Sequence, residues 1–145
     1  MLIMPTNKMN GRWKNKIKGI EFALLAVGAL AGVFLRYKLV SIPIWLGALP
    51  LNVLIINVAG SFILGVFSIV SVMWNLDGKY SLLIAIGFCG SFTTMSSFAL
   101  ESANLLDNKL IAAFVVNILA NVGLSLGAVI AGRILTSMIL KVVAS

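Results

Sequence analysis

Residues 87–101 read GFCGSFTTMSSFALE, and this stretch decides how the rest of the chain is interpreted. Seven of its residues are Gly, Ser or Thr, although apolar segments surround it. A glycine lowers helix stability by about 1 kcal/mol relative to alanine, and Ser and Thr hydroxyls offer the backbone alternatives to helical bonding. The stretch therefore predicts a local break, near residues 90–94, in an otherwise apolar helix.

The composition places this helix in a membrane. Of the 145 residues, 61% are hydrophobic and 10% are charged, whereas soluble domains are about half apolar and a quarter charged. Lipid requires every backbone polar group to be satisfied within its own segment, and the apolar runs lack the alternation of strands. The sequence thus predicts an all-α integral membrane protein with four transmembrane helices, the third of them broken.

Few side chains could carry catalysis or ligate a transition metal. The chain has no histidine, four acidic residues in total, and one cysteine, Cys89, which excludes an internal disulfide. General acid–base chemistry and metal ligation depend on those residue types. We therefore expect a protein that is not an enzyme.

The apolar runs and their flanks divide the chain into a basic leader, residues 1–18, and a four-helix membrane domain, residues 19–145. A signal peptide is the alternative for the first run, because basic residues precede it and Ala29-Leu30-Ala31 could mark a cleavage site. Residues 39–50 are predicted to lie at the membrane interface with Trp45 as an anchor. Residues 101–109 are predicted to be a polar connection. The predicted spans are residues 20–35 (with a start nearer residue 16), 51–74, 81–100 and 110–133.

The basic residues predict the orientation of the spans. Four spans put both termini and the turn at residues 75–80 on one side of the membrane. That side carries eight of the 11 Lys and Arg residues, and the other carries Arg36, Lys38 and Lys109. Because positive loops stay inside, both termini are predicted to be cytoplasmic. The net charge of +7 comes from basic residues that flank the spans and anchor them at the membrane surface, so it does not indicate a nucleic-acid partner.

Polar residues in the second and fourth spans recur at helical spacing. Asn57 and Ser61 begin one such face, and Asn117, Asn121 and Ser125 form another. One interpretation is that these groups join helices by hydrogen bonds, and the other is that they line a wet or ion-bearing path. Gly28 and Gly32, like Gly123 and Gly127, have the spacing that lets helices pack closely.

The predicted break has its own consequence. Non-helical backbone at membrane depth is tolerated where it is buried in protein or lines a cavity, and freed carbonyls commonly coordinate a cation. A small cation held by backbone oxygens is therefore expected at the break. The alternative is a kink in which Ser and Thr hydroxyls satisfy the backbone internally.

Three motifs carry a resemblance to a known family. GFCGSFTTMSSFALE resembles the third-helix signature G-x-x-G-G-F/L-T-T-F-S-S/T-F-x-x-E of the Fluc/CrcB fluoride-channel family. NVLIINVAGSFILG, residues 52–65, resembles its second-helix signature, and GALAGVFLRY, residues 28–37, resembles the end of its first helix. The match covers all four spans in order and spacing.

The resemblance implies a fluoride channel in the plasma membrane of a prokaryote. It implies an antiparallel dimer of inverted subunits with two pores, which would passively export fluoride that entered as the neutral acid. It also implies a structural Na⁺ at the subunit interface. Carried onto this chain, the Na⁺ ligands are the main-chain carbonyls of Gly90 and Thr93, the pore residues are Asn57, Met95, Phe98, Asn121 and Ser125, and Arg36 has a structural role.

Four positions depart from the family pattern. Met95 stands where a pore phenylalanine is usual, and Asn121 stands where tyrosine is usual. Ser91 replaces the second glycine of a pair, and Val53 replaces a threonine, without removing any carbonyl. Met95 puts the rate or the selectivity of fluoride passage in question, because one aromatic ring edge is missing from the path.

The charge asymmetry bears on the partner subunit. One chain that inserts in both orientations needs a nearly even distribution of Lys and Arg, and eight against three is uneven. The sequence therefore favours pairing with an oppositely oriented paralogue over self-pairing.

Two other functions are compatible with parts of the sequence. The departures from the pattern allow a non-conducting subunit that completes the pores of its partner. A small proton-coupled multidrug transporter also has four short helices, but it needs a membrane-embedded carboxylate, for which Glu21 at the edge of the first span is the only candidate.

Overall fold

The computed structural model describes residues 19–143, so the predicted basic leader lies outside the described residues. Four helical segments within them are long and apolar enough to cross a membrane, as predicted. The first span is α1, Gly19–Val40, and the second is α2, Asn52–Met73. The third covers Gly78–Asp107, and the fourth is α6, Ile111–Val143.

The third span is composed of four helical pieces. It begins with α3, Gly78–Ser81, continues as a π-helix, Leu82–Cys89, and includes the short α4, Gly90–Phe92. After two extended residues it resumes as α5, Met95–Asp107. The predicted break is confirmed, and it falls at Thr93 and Thr94, whose φ and ψ angles are −74° and 158°, and −149° and 111°.

Several predicted boundaries were wrong. Residues 101–107, predicted as part of a polar connection, continue α5, because Ser102 and Leu105 are buried and α5 packs against α6. The fourth span continues ten residues past Arg133, since that segment has no internal helix breaker. The first span continues to Val40, which places Arg36 inside the helix.

A short antiparallel hairpin connects the first two spans. β1, Trp45–Leu46, pairs with β2, Leu49–Pro50, and Gly47 between them has a φ of +59°. The Asn52 amide holds this loop, since it accepts a hydrogen bond from the Ile44 N–H at 2.9 Å and donates to the carbonyls of Leu39, in the last turn of α1, and Ile42. Trp45 is exposed, as an interfacial anchor would be.

Small residues set the packing between spans. The first span packs against the π-helix, and the second packs against the fourth. A Cβ on Gly28 would collide with the Leu83 carbonyl oxygen, and one on Gly32 would lie 2.5 Å from the Phe88 oxygen, which confirms their predicted packing role. Gly123 and Gly127 were predicted to do the same, but within residues 19–143 no atom other than the nearby backbone of their own helix comes within 4 Å of their Cβ positions.

Candidate functional site

The break in the third span is stabilised by threonine hydroxyls. The Thr93 hydroxyl donates to the Cys89 carbonyl at 2.9 Å, alongside the Thr93 backbone N–H at 3.0 Å. The Thr94 hydroxyl caps α5 by accepting from the Ser97 N–H at 3.2 Å. Before the break the hydroxyl thus adds to the last helical bond, and after it the hydroxyl takes the place of a helical acceptor, as the hydroxyl-rich sequence predicted.

Asn57 of the second span reaches across to the extended backbone. Its Oδ1 accepts from the Thr94 N–H at 2.9 Å, and its Nδ2 donates to the Thr94 carbonyl at 3.3 Å. Both backbone groups of Thr94 are therefore bonded to one amide. In a continuous helix the Thr94 N–H would donate to the Gly90 carbonyl, so this contact deprives that carbonyl of its helical partner.

Further amides continue from Asn57 into the fourth span. Asn57 Nδ2 also donates to Asn121 Oδ1 at 3.1 Å, and Asn121 Nδ2 donates to Asn117 Oδ1 at 3.0 Å. Asn117 Nδ2 then donates to the Ser102 hydroxyl oxygen at 3.1 Å. The predicted polar faces of the second and fourth spans therefore meet each other beside the break.

A cavity of about 350 Å³ lies at this meeting point. Its walls come from the second, third and fourth spans, and four lining residues are exposed at the subunit surface: Leu64, Gly90, Met95 and Val122. The cavity brings together all the residues predicted for the anion path and the cation site, namely Asn57, Gly90, Thr93, Met95, Phe98, Asn121 and Ser125.

The two predicted ring positions lie in different environments. Phe98 is buried, with 7% of its surface exposed, whereas 72% of Met95 is exposed. The thioether therefore projects from the subunit at the mouth of the cavity, while the phenyl ring is packed inside. Since both residues follow the break in α5, the position of the break determines where they are presented.

Two buried polar atoms near the cavity have no hydrogen-bond partner within residues 19–143. They are Ser125 Oγ, which lines the cavity, and Glu101 Oε2, one turn beyond Phe98. An unpaired buried polar atom is costly, which indicates that an ion, water or a second chain satisfies these groups. Glu101, predicted to lie in a polar connection, is within α5 instead, and sequence reasoning did not identify it as a site residue.

Arg36 lies beside the break and does not line the cavity. Its Nη1 donates to the Thr93 carbonyl at 3.4 Å, which is long for a hydrogen bond. This carbonyl would accept from the Ser97 N–H in a continuous helix, but that N–H donates to the Thr94 hydroxyl. The guanidinium thus partly compensates an oxygen that the break has released.

Residues 23–133 match a family described as "CrcB-like protein, Camphor Resistance (CrcB)". The chain is 60% identical over 125 residues to a protein named fluoride-specific ion channel FluC from Nitrosopumilus maritimus, an alignment that covers 86% of this chain and 99% of that one. A protein of the same name from Methanococcus maripaludis is 41% identical over 116 residues, with 79% and 93% covered. One from Methanocaldococcus jannaschii is 38% identical over 122 residues, with 83% and 98% covered.

Proposed function

This chain belongs to the CrcB family, and on that basis we propose that it is a fluoride-specific ion channel. The observation that supports this proposal is the cavity beside the break, which is lined by amide, hydroxyl and aromatic groups from three spans. An anion that sheds water needs donors in its place, and serial weak sites let it pass without being trapped. The relatives named above as fluoride channels align over nearly their whole length.

The residues that line the cavity would contribute different kinds of anion-binding group to a fluoride path. The Ser125 hydroxyl is buried without a protein partner, so its proton is available to an anion. The edge of the Phe98 ring carries positive charge and forms a weak anion site. The Asn57 amide supplies N–H donors at the point where the third span is extended. Transport is passive, and it lowers cytoplasmic fluoride by letting the anion leave down its gradient.

The carbonyls released at the break suit a structural Na⁺. The Gly90 carbonyl has lost its helical donor to Asn57, and the Thr93 carbonyl meets only the long contact from Arg36. Oxygen ligands of this kind suit hard cations, and the described residues contain no cluster of His, Cys, Asp or Glu that would ligate a transition metal. Two carbonyls are too few for a full ligand shell, so a second subunit would supply the others. When bound, Na⁺ would hold the two subunits together.

The surface around the cavity supports a second subunit. Gly90 and Met95 are exposed there, and Gly123 and Gly127 leave an open strip on the fourth span. The partner has inverted orientation, and the uneven charge distribution favours an oppositely oriented paralogue over a second copy of this chain. In the plasma membrane of a prokaryote, both termini of this subunit lie in the cytoplasm.

Fluoride efflux from liposomes tests the proposal. Protein purified alone, or with a co-expressed paralogue, is reconstituted with internal fluoride, and release is followed with a fluoride electrode after potassium permeability is supplied. We expect release of fluoride that exceeds release of chloride and falls sharply in Asn57→Asp and Phe98→Ala. Asn104→Ala is the matched control, because Asn104 is exposed on α5. Equal release of chloride would contradict the proposal.

A non-conducting role remains the second candidate, and Met95 is the observation that favours it. The subunit offers a flexible thioether at the cavity mouth where the family pattern has a ring. In that case the subunit would complete the pore of its partner without providing one itself. The test measures fluoride release from a heterodimer of this chain and the paralogue. Release that a pore substitution in the paralogue abolishes, and that Asn57→Asp in this chain leaves intact, would identify this role.

A further inference from the structure

We propose that Ser102 and Asn117 are positioning residues that set the anion selectivity of the path by fixing the orientation of the pore amides. This inference rests on the proposed function. Neither residue lines the cavity. Both are buried, with 7% and 2% of their surfaces exposed, and their side-chain hydrogen bonds lead to the lining residues Asn121 and Asn57.

The hydrogen bonds form one chain in which every group donates in the same direction. It starts at the Thr94 N–H, passes through the amides of Asn57, Asn121 and Asn117, and reaches the Ser102 hydroxyl. That hydroxyl donates to the Phe98 carbonyl at 2.8 Å. The chain therefore leaves the third span at Thr94, returns to it about two helical turns later at Ser102, and ends at the Phe98 carbonyl.

The two ends of the chain impose the same direction: the Thr94 N–H can only donate at one end, and the Ser102 hydroxyl sets the other. Since its proton goes to the Phe98 carbonyl, its oxygen can only accept, and Asn117 must turn its Nδ2 toward it. Asn117 Oδ1 is then left to accept from Asn121. A reversed amide at any step would place two donors or two acceptors face to face inside the protein, which costs about 1–3 kcal/mol per unsatisfied group.

This orientation fixes what Asn121 presents to the path. Its Nδ2 is bonded to the Asn117 side chain and to the Asn117 backbone carbonyl at 3.1 Å, so its oxygen faces Asn57. An anion must therefore compete with the Asn121 carbonyl oxygen for an Asn57 N–H. Fluoride is a much stronger hydrogen-bond acceptor than chloride, and charged acceptors gain most from such bonds. The oriented amides thus favour fluoride, whereas a free Asn121 could rotate and offer its N–H groups to either anion.

The experiment uses two Ser102 variants of matched shape. Ser102→Thr keeps the hydroxyl and Ser102→Val replaces it with a methyl group, so the pair differs in hydrogen bonding and not in volume. In assembled channels we expect Ser102→Thr to retain the fluoride-to-chloride ratio, and Ser102→Val and Asn117→Leu to lower it by about tenfold, as for one lost hydrogen bond. The double variant should equal either single variant, because both interrupt the same chain.

A purely structural role gives a different result. It would reduce thermal stability and the total flux while leaving the anion ratio, read from the reversal potential, unchanged. That outcome, or equal ratios in Ser102→Thr and Ser102→Val, would overturn the inference.

A second readout does not depend on transport. With ¹⁵N-labelled asparagine, the side-chain amide signal of Asn57, assigned by its loss in Asn57→Asp, should shift in Ser102→Val and not in Ser102→Thr. An unshifted signal in both variants would overturn the inference. If wild-type protein carries no fluoride with any partner, the proposed function fails, while this measurement still tests the oriented amides.

Discussion

The Asn57 side chain bonds to Thr94 as a neighbouring strand would, accepting from its N–H at 2.9 Å and donating to its carbonyl at 3.3 Å. One amide thereby satisfies both backbone groups of an extended residue inside a membrane-spanning helix. Water cannot do this in hydrocarbon, and no adjacent helical turn is in position to do it. The break and the Asn57 amide are thus parts of one structure.

The first prediction separates the two functions of Asn57. Asn57→Leu removes both bonds and leaves the buried Thr94 N–H unpaired, so the free energy of unfolding should fall by about 1–3 kcal/mol. Asn57→Asp in its neutral acid form keeps the acceptor for the Thr94 N–H and replaces the two N–H donors with a single O–H donor. It should therefore retain more thermal stability than the leucine variant while losing fluoride release. Thermal unfolding in detergent and efflux from liposomes measure the two effects, and equal stability of both variants would contradict the interpretation.

The second prediction concerns glycine packing. A Cβ at Gly65 would collide with the Val129 carbonyl oxygen, which belongs to rigid backbone. Gly65→Val should therefore lower the yield of monodisperse protein on size-exclusion chromatography. Gly127→Val is the matched control within a single subunit, because its Cβ would meet nothing within 4 Å. If Gly127→Val folds but fails to dimerise, the open strip of the fourth span is part of the subunit interface.

The third prediction concerns the cation site. Replacing Na⁺ by N-methylglucamine should weaken the dimer and reduce fluoride release, because the carbonyls released at the break would lose the cation that they share. Thr93→Ala should keep this Na⁺ dependence, since the main-chain oxygen remains. Dimer content can be followed by fluorescence transfer between labelled subunits. A dimer that is insensitive to Na⁺ removal would argue against the site.

The fourth prediction concerns the missing ring. Met95 is 72% exposed, so Met95→Phe imposes little packing strain in the subunit. A phenyl edge at the cavity mouth would add a weak anion site and should raise the fluoride release rate several-fold. Met95→Leu controls for side-chain size without adding a ring. A rate that is no higher in Met95→Phe than in Met95→Leu would show that the ring edge is not limiting here.

The fifth prediction concerns orientation. Reporters that are active only in the cytoplasm or only outside it, fused to the C-terminus, should show one predominant orientation with the terminus inside. Moving positive charge to the opposite side, by Lys79→Gln together with Ser41→Lys, should shift the population toward two orientations. Equal populations in the unmodified chain would favour a dimer of identical subunits over pairing with a paralogue.

The sequence by itself determined the membrane class, the four spans and the position of the break. Hydropathy decides the first two because lipid contact is a property of each segment, and the break depends on local competition between Ser and Thr hydroxyls and the helix at residues 90–94. It also identified the residues of the cavity through resemblance, although it did not establish what they contact. The end of the third span was missed because burial against neighbouring helices keeps polar residues such as Ser102 helical. The end of the fourth span was missed because no helix breaker follows Arg133, so the helix continues past it.

Only the tertiary structure decided how the polar groups pair. Asn57 and Thr94 are separated by 37 residues, and Asn57 and Asn121 by 64, so their contacts depend on how three spans pack. The direction of the hydrogen bonds along the asparagine chain is even harder to predict from the sequence, since an asparagine can donate or accept on either side. It is set at one end by the Thr94 N–H and at the other by the Ser102 hydroxyl, whose proton goes to the Phe98 carbonyl within α5. The Asn117 amide meets that hydroxyl only once α5 and α6 are packed together.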